Sequence, residues 1–306
     1  MKCRKCGAPA AIHLRHHKLA LCAPDYLTWF VEQTERIMGK YRMATREERI
    51  LVAVSGGKDS LALWDVLLRL GYQADGLYIN LGIDGGLSYS SKSADKARSF
   101  AAQHPEAQLH MVDIPALYGE SIPEVARRRH RGHQTCSVCG LIKRHEMNRV
   151  ALAEGYQVLA TGHNLDDEAA VLFGNVLRWR GAYLLRQGPV LPAEAAHLAC
   201  KIKPFCRFYE RETAAYTLLR GIDYIYEECP FALGATSLKH KEVLTQMEHD
   251  APGTKLHFYV SFLKAKEEGL FCQSEEALAG LHPCVRCGQP TLAPDLCAFC
   301  RLWEGD

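Results

Sequence analysis

The sequence lacks any long hydrophobic run, and this absence excludes several classes of protein. No apolar stretch in the 306 residues approaches the roughly 20 residues that a membrane-spanning helix needs. The basic residues at 1–7 are not followed by an apolar segment, so a secretory signal is not expected. The formal net charge is only +2, which does not indicate a strongly basic nucleic-acid-binding chain. We therefore expect a cytoplasmic protein of about two domains, with no membrane partner.

Cysteine is abundant by contrast, because the chain contains 13. In a reducing compartment these residues are expected to be thiols or metal ligands rather than disulfides. A Cys-x2-Cys-x9-Cys-x2-Cys pattern near the C-terminus contains Cys284, Cys287, Cys297 and Cys300. Two such pairs supply four thiolates in a tetrahedron, which suits a closed structural zinc site. The pattern predicts a C-terminal zinc module over residues 282–306.

A second cysteine pattern lies at the N-terminus and consists of Cys3, Cys6 and Cys22. Asp25 completes an x2 spacing after Cys22, and a carboxylate oxygen is an acceptable zinc ligand. We favour Asp25 as the fourth ligand by position, and the sequence leaves three competitors open. These are His13, His16 and His17. The predicted N-terminal zinc module covers residues 1–25.

A third set of cysteines has no second Cys-x2-Cys pair. Cys136 and Cys139 fall near the start of a predicted helix, where the dipole lowers the pKa of a thiol, and Cys229 lies far along the chain. Three thiolates could hold a zinc ion, act as redox or persulfide-carrying thiols, or hold three irons of a [4Fe–4S] cluster. The other thiols are expected to be core or incidental: Cys200, Cys206 and Cys272.

The central part of the chain alternates strand and helix patterns. The predicted strands are 49–54, 74–80, 108–114, 157–161 and 222–226, and the predicted helices are 59–70, 92–103, 139–154 and 164–179. This βαβ alternation predicts an α/β fold with a doubly wound, mostly parallel sheet over 46–230. A linker helix is expected at 26–45, an irregular connection at 188–192, and a helical extension over 231–281, interrupted at 252–253.

The motif at the first strand–helix junction is Ser55-Gly56-Gly57-Lys58-Asp59-Ser60. A strand, a glycine turn and a helix N-terminus together form an anion-binding site, because backbone N–H groups and the helix dipole face the ligand. The spacing differs from that of a Walker-type loop. A basic run at 127–133 precedes Cys136 and is interpreted either as a solvated loop or as a segment that recruits a polyanion.

Four motifs in order carry a specific resemblance: residues 55–60, 136–140, 161–168 and 228–230. Together they resemble the PP-loop tRNA thiolation enzymes that make 2-thiouridine or 2-thiocytidine. The cysteine modules at both ends make the chain most similar to the 2-thiouridine synthetases that act on the T-loop uridine. One departure is Asp25, where relatives usually have a histidine.

The resemblance implies the cofactors and the roles of the site residues. ATP would contact Ala53, Ile79, Lys143 and Gly162, and its β and γ phosphates would lie on Ser55, Gly56, Gly57 and Ser60. Lys58 is either a phosphate contact or solvent-facing. Asp59 and Asp167 are candidates for Mg²⁺ or for positioning the reacting oxygen, and Lys143 for neutralising charge on the phosphate. Cys136, Cys139 and Cys229 would hold a [4Fe–4S] cluster that carries the sulfur.

The resemblance also implies partners, and it leaves two other functions open. The partners would be tRNA and a ubiquitin-like sulfur carrier with a C-terminal thiocarboxylate, and a homodimer is common among such relatives. One alternative is wobble-uridine 2-thiolation by the same chemistry. The other is a zinc-dependent tRNA-binding protein with a regulatory ATP site, in which Asp167 would only complement the dipole of its helix.

Overall fold

The N-terminal residues form a small hairpin that leads directly into a long helix. In the computed structural model of the chain, which describes residues 1–84, 88–128, 135–193, 198–232, 236–271 and 281–304, β1 (Ile12–Leu14) pairs antiparallel with β2 (Leu19–Leu21). The helix α1 (Ala23–Lys40) begins earlier than the sequence predicts, because Pro24 fits the first turn of a helix. Its buried Phe30 ring lies 4.5 Å from the ring of Tyr216, which attaches the helix to the rest of the chain.

A six-stranded sheet lies at the centre of the molecule. In chain order its strands are β3 (Ile50–Val54), β4 (Ala74–Asn80), β5 (Leu109–Asp113), β6 (Val158–Thr161), β7 (Val190–Leu191) and β8 (Cys200–Ile202). Their spatial order is β5-β4-β3-β6-β8-β7, and all neighbours are parallel except β7 with β8. The prediction of a doubly wound, mostly parallel sheet is confirmed. The strand order reverses between β3 and β6, so the loops after these two strands diverge at the switch point.

The predicted strand at 222–226 is wrong, and a different segment takes its place in the sheet. Cys200 pairs with Val158, so β8 occupies the position next to β6. The segment at 222–226 is irregular, and the Ile225 N–H donates to the carbonyl of Gly56 at 2.9 Å. The region at 188–192, expected to be irregular, contains the short strand β7. Runs of two or three residues such as β7 and β8 are too short to show a strand period.

Helices cover both faces of the sheet and extend beyond it. They are α2 (Lys58–Arg69), α3 (Tyr89–Ala102), α4 (Ile114–Tyr118), α5 (Ile122–Arg128), α6 (Thr135–Ala153), α7 (Leu165–Leu177), α8 (Gly181–Leu185), α9 (Glu210–Arg220), α10 (Thr236–Asp250) and α11 (Thr254–Glu267). The four helices predicted inside the domain correspond to α2, α3, α6 and α7, whereas α9 was not predicted. Among the described residues, no helix combines the length and apolarity needed to cross a membrane.

The C-terminal cysteine residues form a module of their own against α4 and α6. Its short strands are β9 (His282–Pro283) and β10 (Pro290–Thr291). The ring of Phe299 stacks on His145 at 3.5 Å, and Trp303 stacks on Tyr118 at 4.5 Å. One continuous hydrophobic core contains side chains from α1, the sheet and α11, so the packing does not divide the chain at these points. The predicted domain boundaries near residues 25, 45, 230 and 281 therefore stay predictions.

Candidate functional site

The loop after β3 needs glycine at one position for two reasons. Gly56 has φ +74°, a left-handed conformation that favours glycine, and an added Cβ would lie 2.4 Å from the Ser93 carbonyl oxygen. At Gly162, which follows β6, an added Cβ would lie 2.9 Å from the backbone of Asp59. The two loops at the switch point therefore pack closely around the N-terminus of α2.

Hydrogen bonds from two serines fix the shape of the same loop. The Ser55 N–H donates to the Ser60 hydroxyl at 3.1 Å, and the Ser60 hydroxyl lies 3.0 Å from the Gly57 carbonyl. The Ser55 hydroxyl accepts from the Gly57 N–H at 3.4 Å. A loop held in this way presents the first turn of a 12-residue helix, where an anion is stabilised by the helix dipole.

A cavity of about 70 Å³ lies beside this loop, at the carboxyl ends of β3 and β4. Four residues predicted to bind ATP line it together, namely Ala53, Ser55, Ile79 and Lys143. Tyr89 and Met147 line it as well and were not predicted. Neither residue belongs to a sequence motif. Tyr89 is the first residue of α3 and Met147 lies in the middle of α6, and only the fold brings them to the cavity.

A chain of alternating charges surrounds the N-terminus of α2. Lys58 lies 3.0 Å from a carboxylate oxygen of Asp59 and 2.8 Å from one of Glu210. Lys241 on α10 lies 3.2 Å from the other oxygen of Glu210 and 2.6 Å from Asp167. The Lys58 ammonium is therefore not solvent-facing. Glu210 and Lys241 were missed, because they lie on elements far along the chain from the glycine loop.

Two neutral side chains contact Asp59, and one of them, Asn164, also contacts Asp167. The Asn164 side chain accepts from the Asp167 N–H at 3.2 Å and lies 3.4 Å from an oxygen of Asp59. The Thr213 hydroxyl donates to the same oxygen of Asp59. Asp167 also closes a capping box on α7 through the Asn164 N–H, so it caps its helix as well as pairing with Lys241.

Burial and charge set the pKa values of this chain of charges. Burial raises the pKa of Asp59, although Lys58 and Thr213 oppose the shift. Burial lowers the pKa of Lys58, but the two carboxylates beside it outweigh burial and raise that pKa above its usual value. Paired charges in a partly buried site keep fixed positions, so they can orient a phosphate and a metal ion.

The third set of cysteines lies at the same edge of the sheet. Cys136 is in the first turn of α6, and its thiol donates to the carbonyl of Phe231, two residues after Cys229, at 3.0 Å. The expected lowering of the Cys136 pKa by the helix dipole is wrong. Burial and the charges of Cys139 and Cys229 raise the pKa of the Cys136 thiol. Their mutual repulsion as thiolates is what a bound cation would relieve.

Two groups of metal-ligating side chains are formed among the described residues. In the C-terminal group, Cys284, Cys287, Cys297 and Cys300 bring their sulfur atoms within 4.8 Å of one another. Burial raises the pKa of Cys284, but backbone N–H groups, the largest contribution coming from Cys297, lower it to about 6. Four neighbouring sulfur atoms, stabilised as thiolates by hydrogen bonds from backbone N–H groups, fit a zinc site.

In the N-terminal group, the carboxylate of Asp25 occupies the fourth position. Its Oδ2 lies 3.0 Å from the sulfur of Cys3 and 3.1 Å from that of Cys22, and Cys6 completes the group. Hydrogen bonds from the thiols, that of Cys3 first, lower the pKa of Asp25 to about 2. The competing histidines are directed elsewhere: His13 lines a separate groove, His16 packs on Tyr209, and His17 packs on Trp29.

The remaining predicted features have mixed outcomes. Arg128 of the basic run donates three hydrogen bonds to the carboxylate of Glu120 and one to the Leu302 carbonyl, so it connects α5 to the C-terminal module. Residues 129–134 lie outside the described part of the chain. Cys206 is buried, with its pKa raised to about 12 by burial, and Cys200 is half-buried. Cys272 also lies outside the described residues.

A glycine loop between a strand and a helix N-terminus, at the switch point of a mostly parallel sheet, is typical of several nucleotide-binding folds. The family model described as a PP-loop domain matches residues 28–229, and the model described as the N-terminal LIM domain of 2-thiouridine synthetase TtuA matches residues 2–27. The chain is 52% identical to the tRNA-5-methyluridine(54) 2-sulfurtransferase of Thermus thermophilus, covering 99% of this chain and 91% of that protein. The chain belongs to this sulfurtransferase family.

A second relative agrees with that assignment, and a solved structure shows the same fold. The tRNA-5-methyluridine(54) 2-sulfurtransferase of Pyrococcus horikoshii is 43% identical, covering 99% of this chain and 94% of that protein. Among solved structures, the U34-tRNA thiolase NcsA from Methanococcus maripaludis, determined with its [4Fe-4S] cluster, has a TM-score of 0.81 at 23% identity. That match covers 99% of this chain and 95% of the other, and it shows a shared fold.

Proposed function

We propose that this protein is an ATP-dependent tRNA sulfurtransferase of the cytoplasm that converts the T-loop 5-methyluridine to its 2-thio form. The observation that carries the proposal is the meeting of three features at one sheet edge: the glycine loop, the cavity lined by Lys143, and the thiols of Cys136, Cys139 and Cys229. The sequence identity of 52% to a relative named for the T-loop position favours that position over the wobble uridine.

The first step uses the glycine loop and the charges around it. The backbone of Ser55, Gly56 and Gly57 with the Ser60 hydroxyl would hold the β and γ phosphates of ATP, and Ala53, Ile79 and Gly162 would border the nucleotide. The C2 oxygen of the base attacks the α phosphorus and pyrophosphate leaves. Lys143 would neutralise the charge that develops there, while Asp59 and Asp167 would hold Mg²⁺.

The second step replaces the activated oxygen with sulfur. A sulfide attacks C2, the C2–O bond breaks, and AMP carries the oxygen away, so no oxidant or reductant is required. We propose that Cys136, Cys139 and Cys229 would hold a [4Fe–4S] cluster, which leaves one iron free to bind the incoming sulfide. Cys136 is exposed, and Cys139 and Cys229 are half-buried. Thiols in this arrangement near Lys143 are compatible with such a group, because a cationic cluster relieves the repulsion among the thiolates.

We also propose zinc in both terminal modules and two protein partners. The sulfur would arrive on a ubiquitin-like carrier with a C-terminal thiocarboxylate, as the family resemblance implies. A homodimer is supported by an apolar groove of about 870 Å³ along α10 and α11, where Met247, Phe258 and Phe262 are lining residues. Light scattering of the native chain and of Met247→Glu would test self-association, and a monomeric native chain would contradict it.

The central experiment is an assay of thiolation with a tRNA that carries 5-methyluridine in its T loop but no 2-thio group, together with ATP and a sulfide donor. Nucleoside mass spectrometry should find one 2-thio group in the T loop, with one AMP and one pyrophosphate formed for each. Protein purified without oxygen should contain about four irons, four sulfides and two zincs per chain. Sulfur at the wobble position instead would support the first alternative.

A cysteine variant separates catalysis from binding. Cys229→Ala should abolish thiolation and leave the affinity for tRNA nearly unchanged, whereas the matched variant Cys200→Ala should retain thiolation. Cys200 is half-buried on β8 and lies in neither metal-ligating group. If tRNA affinity collapsed in Cys229→Ala, the thiol would be structural, and the zinc-dependent binding protein would become the better reading.

A further inference from the structure

Helices α10 and α11, which we call the α10–α11 unit, lie outside the segment that the PP-loop family model matches. Both helices nevertheless pack on α7, the helix that carries Asp167. The approach is close, because a Cβ added at Gly174 of α7 would lie 2.7 Å from the ring of His240 on α10. The apolar side chains between the three helices are Ala169, Ala170, Phe173, Leu244 and Phe258.

The α10–α11 unit supplies a cation to the charges beside the glycine loop. Lys241 on α10 lies 2.6 Å from a carboxylate oxygen of Asp167 and 3.2 Å from one of Glu210. The other oxygen of Glu210 pairs with Lys58 at 2.8 Å. The position of α10 therefore decides whether the negative charges of Asp167 and Glu210 are neutralised or repel each other.

A buried ion pair joins the α10–α11 unit to the helices that carry those carboxylates. The Lys255 ammonium on α11 lies 2.5 Å from Asp166 Oδ1 on α7, and both side chains are buried. Lys255 also donates to the hydroxyl of Thr245 on α10 at 2.8 Å. The second oxygen of Asp166 accepts the Glu210 N–H at the start of α9, at 2.8 Å. One ion pair therefore contacts α7, α9, α10 and α11.

The backbone around Lys255 is fixed as well. The carboxylate of Glu248 on α10 accepts the Gly253 N–H at 2.6 Å and the Lys255 N–H at 2.9 Å. These two bonds hold the first turn of α11 against the end of α10. An unpaired buried charge is costly, so this packing favours the single arrangement in which Lys255 and Asp166 meet.

We propose that the Asp166–Lys255 ion pair positions the active site by holding α10 where Lys241 lies between Asp167 and Glu210. The inference rests on the proposed function, since it assigns residues to the same reaction. Neither member of the ion pair lines the cavity beside the glycine loop, so both act through the residues that they hold. The α10–α11 unit is then a part of the active site.

The first test compares a broken ion pair with a replaced one. Lys255→Met leaves the Asp166 carboxylate buried without its cation, so the melting temperature should fall. The kcat of AMP formation should fall about tenfold or more, while the KM for ATP should change less than about threefold because the glycine loop is untouched. Asp166→Asn combined with Lys255→Met removes both charges and keeps an oxygen for the Glu210 N–H. This double variant should recover most of the melting temperature but not the rate.

Asp65→Asn is the matched control for loss of stability alone. Asp65 is buried and pairs with Arg220 at 2.9 Å, at the opposite end of α9 from Glu210. The variant should lower the melting temperature and leave kcat nearly unchanged. A comparable loss of rate in Asp65→Asn would overturn the proposal, because it would mean that any destabilisation slows the reaction.

Amide hydrogen exchange gives a second measurement that does not depend on activity. In the double variant, whose overall stability is restored, exchange should become faster in α10 and α11 and stay unchanged in the glycine loop. Asp65→Asn should not produce this local pattern.

Three results would overturn the proposal. The first is a double variant that recovers its rate together with its melting temperature, because the ion pair would then only stabilise the fold. The second is unchanged exchange in α10 and α11, and the third is a loss of ATP affinity as large as the loss of rate. A native chain that formed no AMP would refute the proposed function, whereas faster exchange confined to α10 and α11 would still support their fixation by the ion pair.

Discussion

At the scale of single residues, the glycine loop allows the sharpest prediction. Gly56→Ala combines a left-handed backbone with a Cβ 2.4 Å from a backbone oxygen that cannot move away. We expect a loss of about 1–3 kcal/mol in the free energy of unfolding and loss of ATP-dependent AMP formation. Gly155→Ala is the matched control, since its φ is +72° but no atom lies within 4 Å. Calorimetry and an AMP assay would measure both, and equal behaviour would mean that the close approach does not matter.

Lys241 supports a second prediction at this scale. It is the cation between Asp167 and Glu210, and these carboxylates raise its pKa despite its burial. Lys241→Gln would remove the cation beside Asp167 and leave only its capping contact with Asn164, so we expect kcat to fall about tenfold or more with tRNA affinity nearly unchanged. Lys241→Arg should restore part of the rate. Lys239→Gln, an exposed position on the same helix, should be neutral, and a similar defect there would contradict a positioning role for Lys241.

At the scale of elements, the C-terminal module depends on its four thiols. Cys297→Ser should release one zinc per chain and unfold the module, because so small a segment buries little apolar surface without its metal. The rings of Phe299 and Trp303 would then leave Tyr118 and His145, and the intrinsic fluorescence should change. Zinc release from the native chain should increase as the pH falls, since protons compete with the metal for the thiolates.

Cys200→Ser is the control for this experiment. It removes a thiol that lies outside the tetrad, so zinc content and fluorescence should match the native chain. A Cys297→Ser protein that retained all its zinc would show that the tetrad is not the binding site.

At the scale of the whole molecule, the contact between the hairpin and α9 predicts a pH dependence of stability. Burial raises the pKa of Glu212 to about 8 and lowers that of His16 to about 3. Above pH 6.5, His16 is neutral in both the folded and the unfolded chain, so it does not change the stability. Glu212 does change it, because its carboxyl is protonated in the folded chain and ionised in the unfolded chain. Stability should therefore fall as pH rises from 6.5 to 8, by at most about 2 kcal/mol.

Denaturant titrations at several pH values would measure this effect. Glu212→Gln keeps an oxygen for the Tyr209 N–H, which donates to Glu212 at 2.9 Å, but it cannot ionise. The variant should therefore be flat over the same pH range. A native chain whose stability rises over that range would contradict the burial of a protonated Glu212.

The sequence by itself determined four of the six strands of the sheet, β3 to β6, and the local sites. Five-to-seven-residue apolar runs such as β3 and β4, and the helix patterns between them, are local signals, because each element buries one face with a fixed period. The two terminal cysteine groups were readable for the same reason: a Cys-x2-Cys pair is a short-range pattern, and Asp25 lies beside its partners in the chain.

Only the tertiary structure decided which segment joins the sheet and which distant side chains meet at the site, because both depend on long-range packing. The segment at 222–226 has strand composition, yet β8 takes its place beside β6, and the segment lies over the glycine loop instead. Glu210 and Lys241 reach Lys58 and Asp167 from α9 and α10, and no spacing in the sequence shows such contacts. The N-terminal hairpin likewise packs against α9, about 195 residues along the chain, where the Nε2 of His16 lies 3.5 Å from the carboxylate of Glu212.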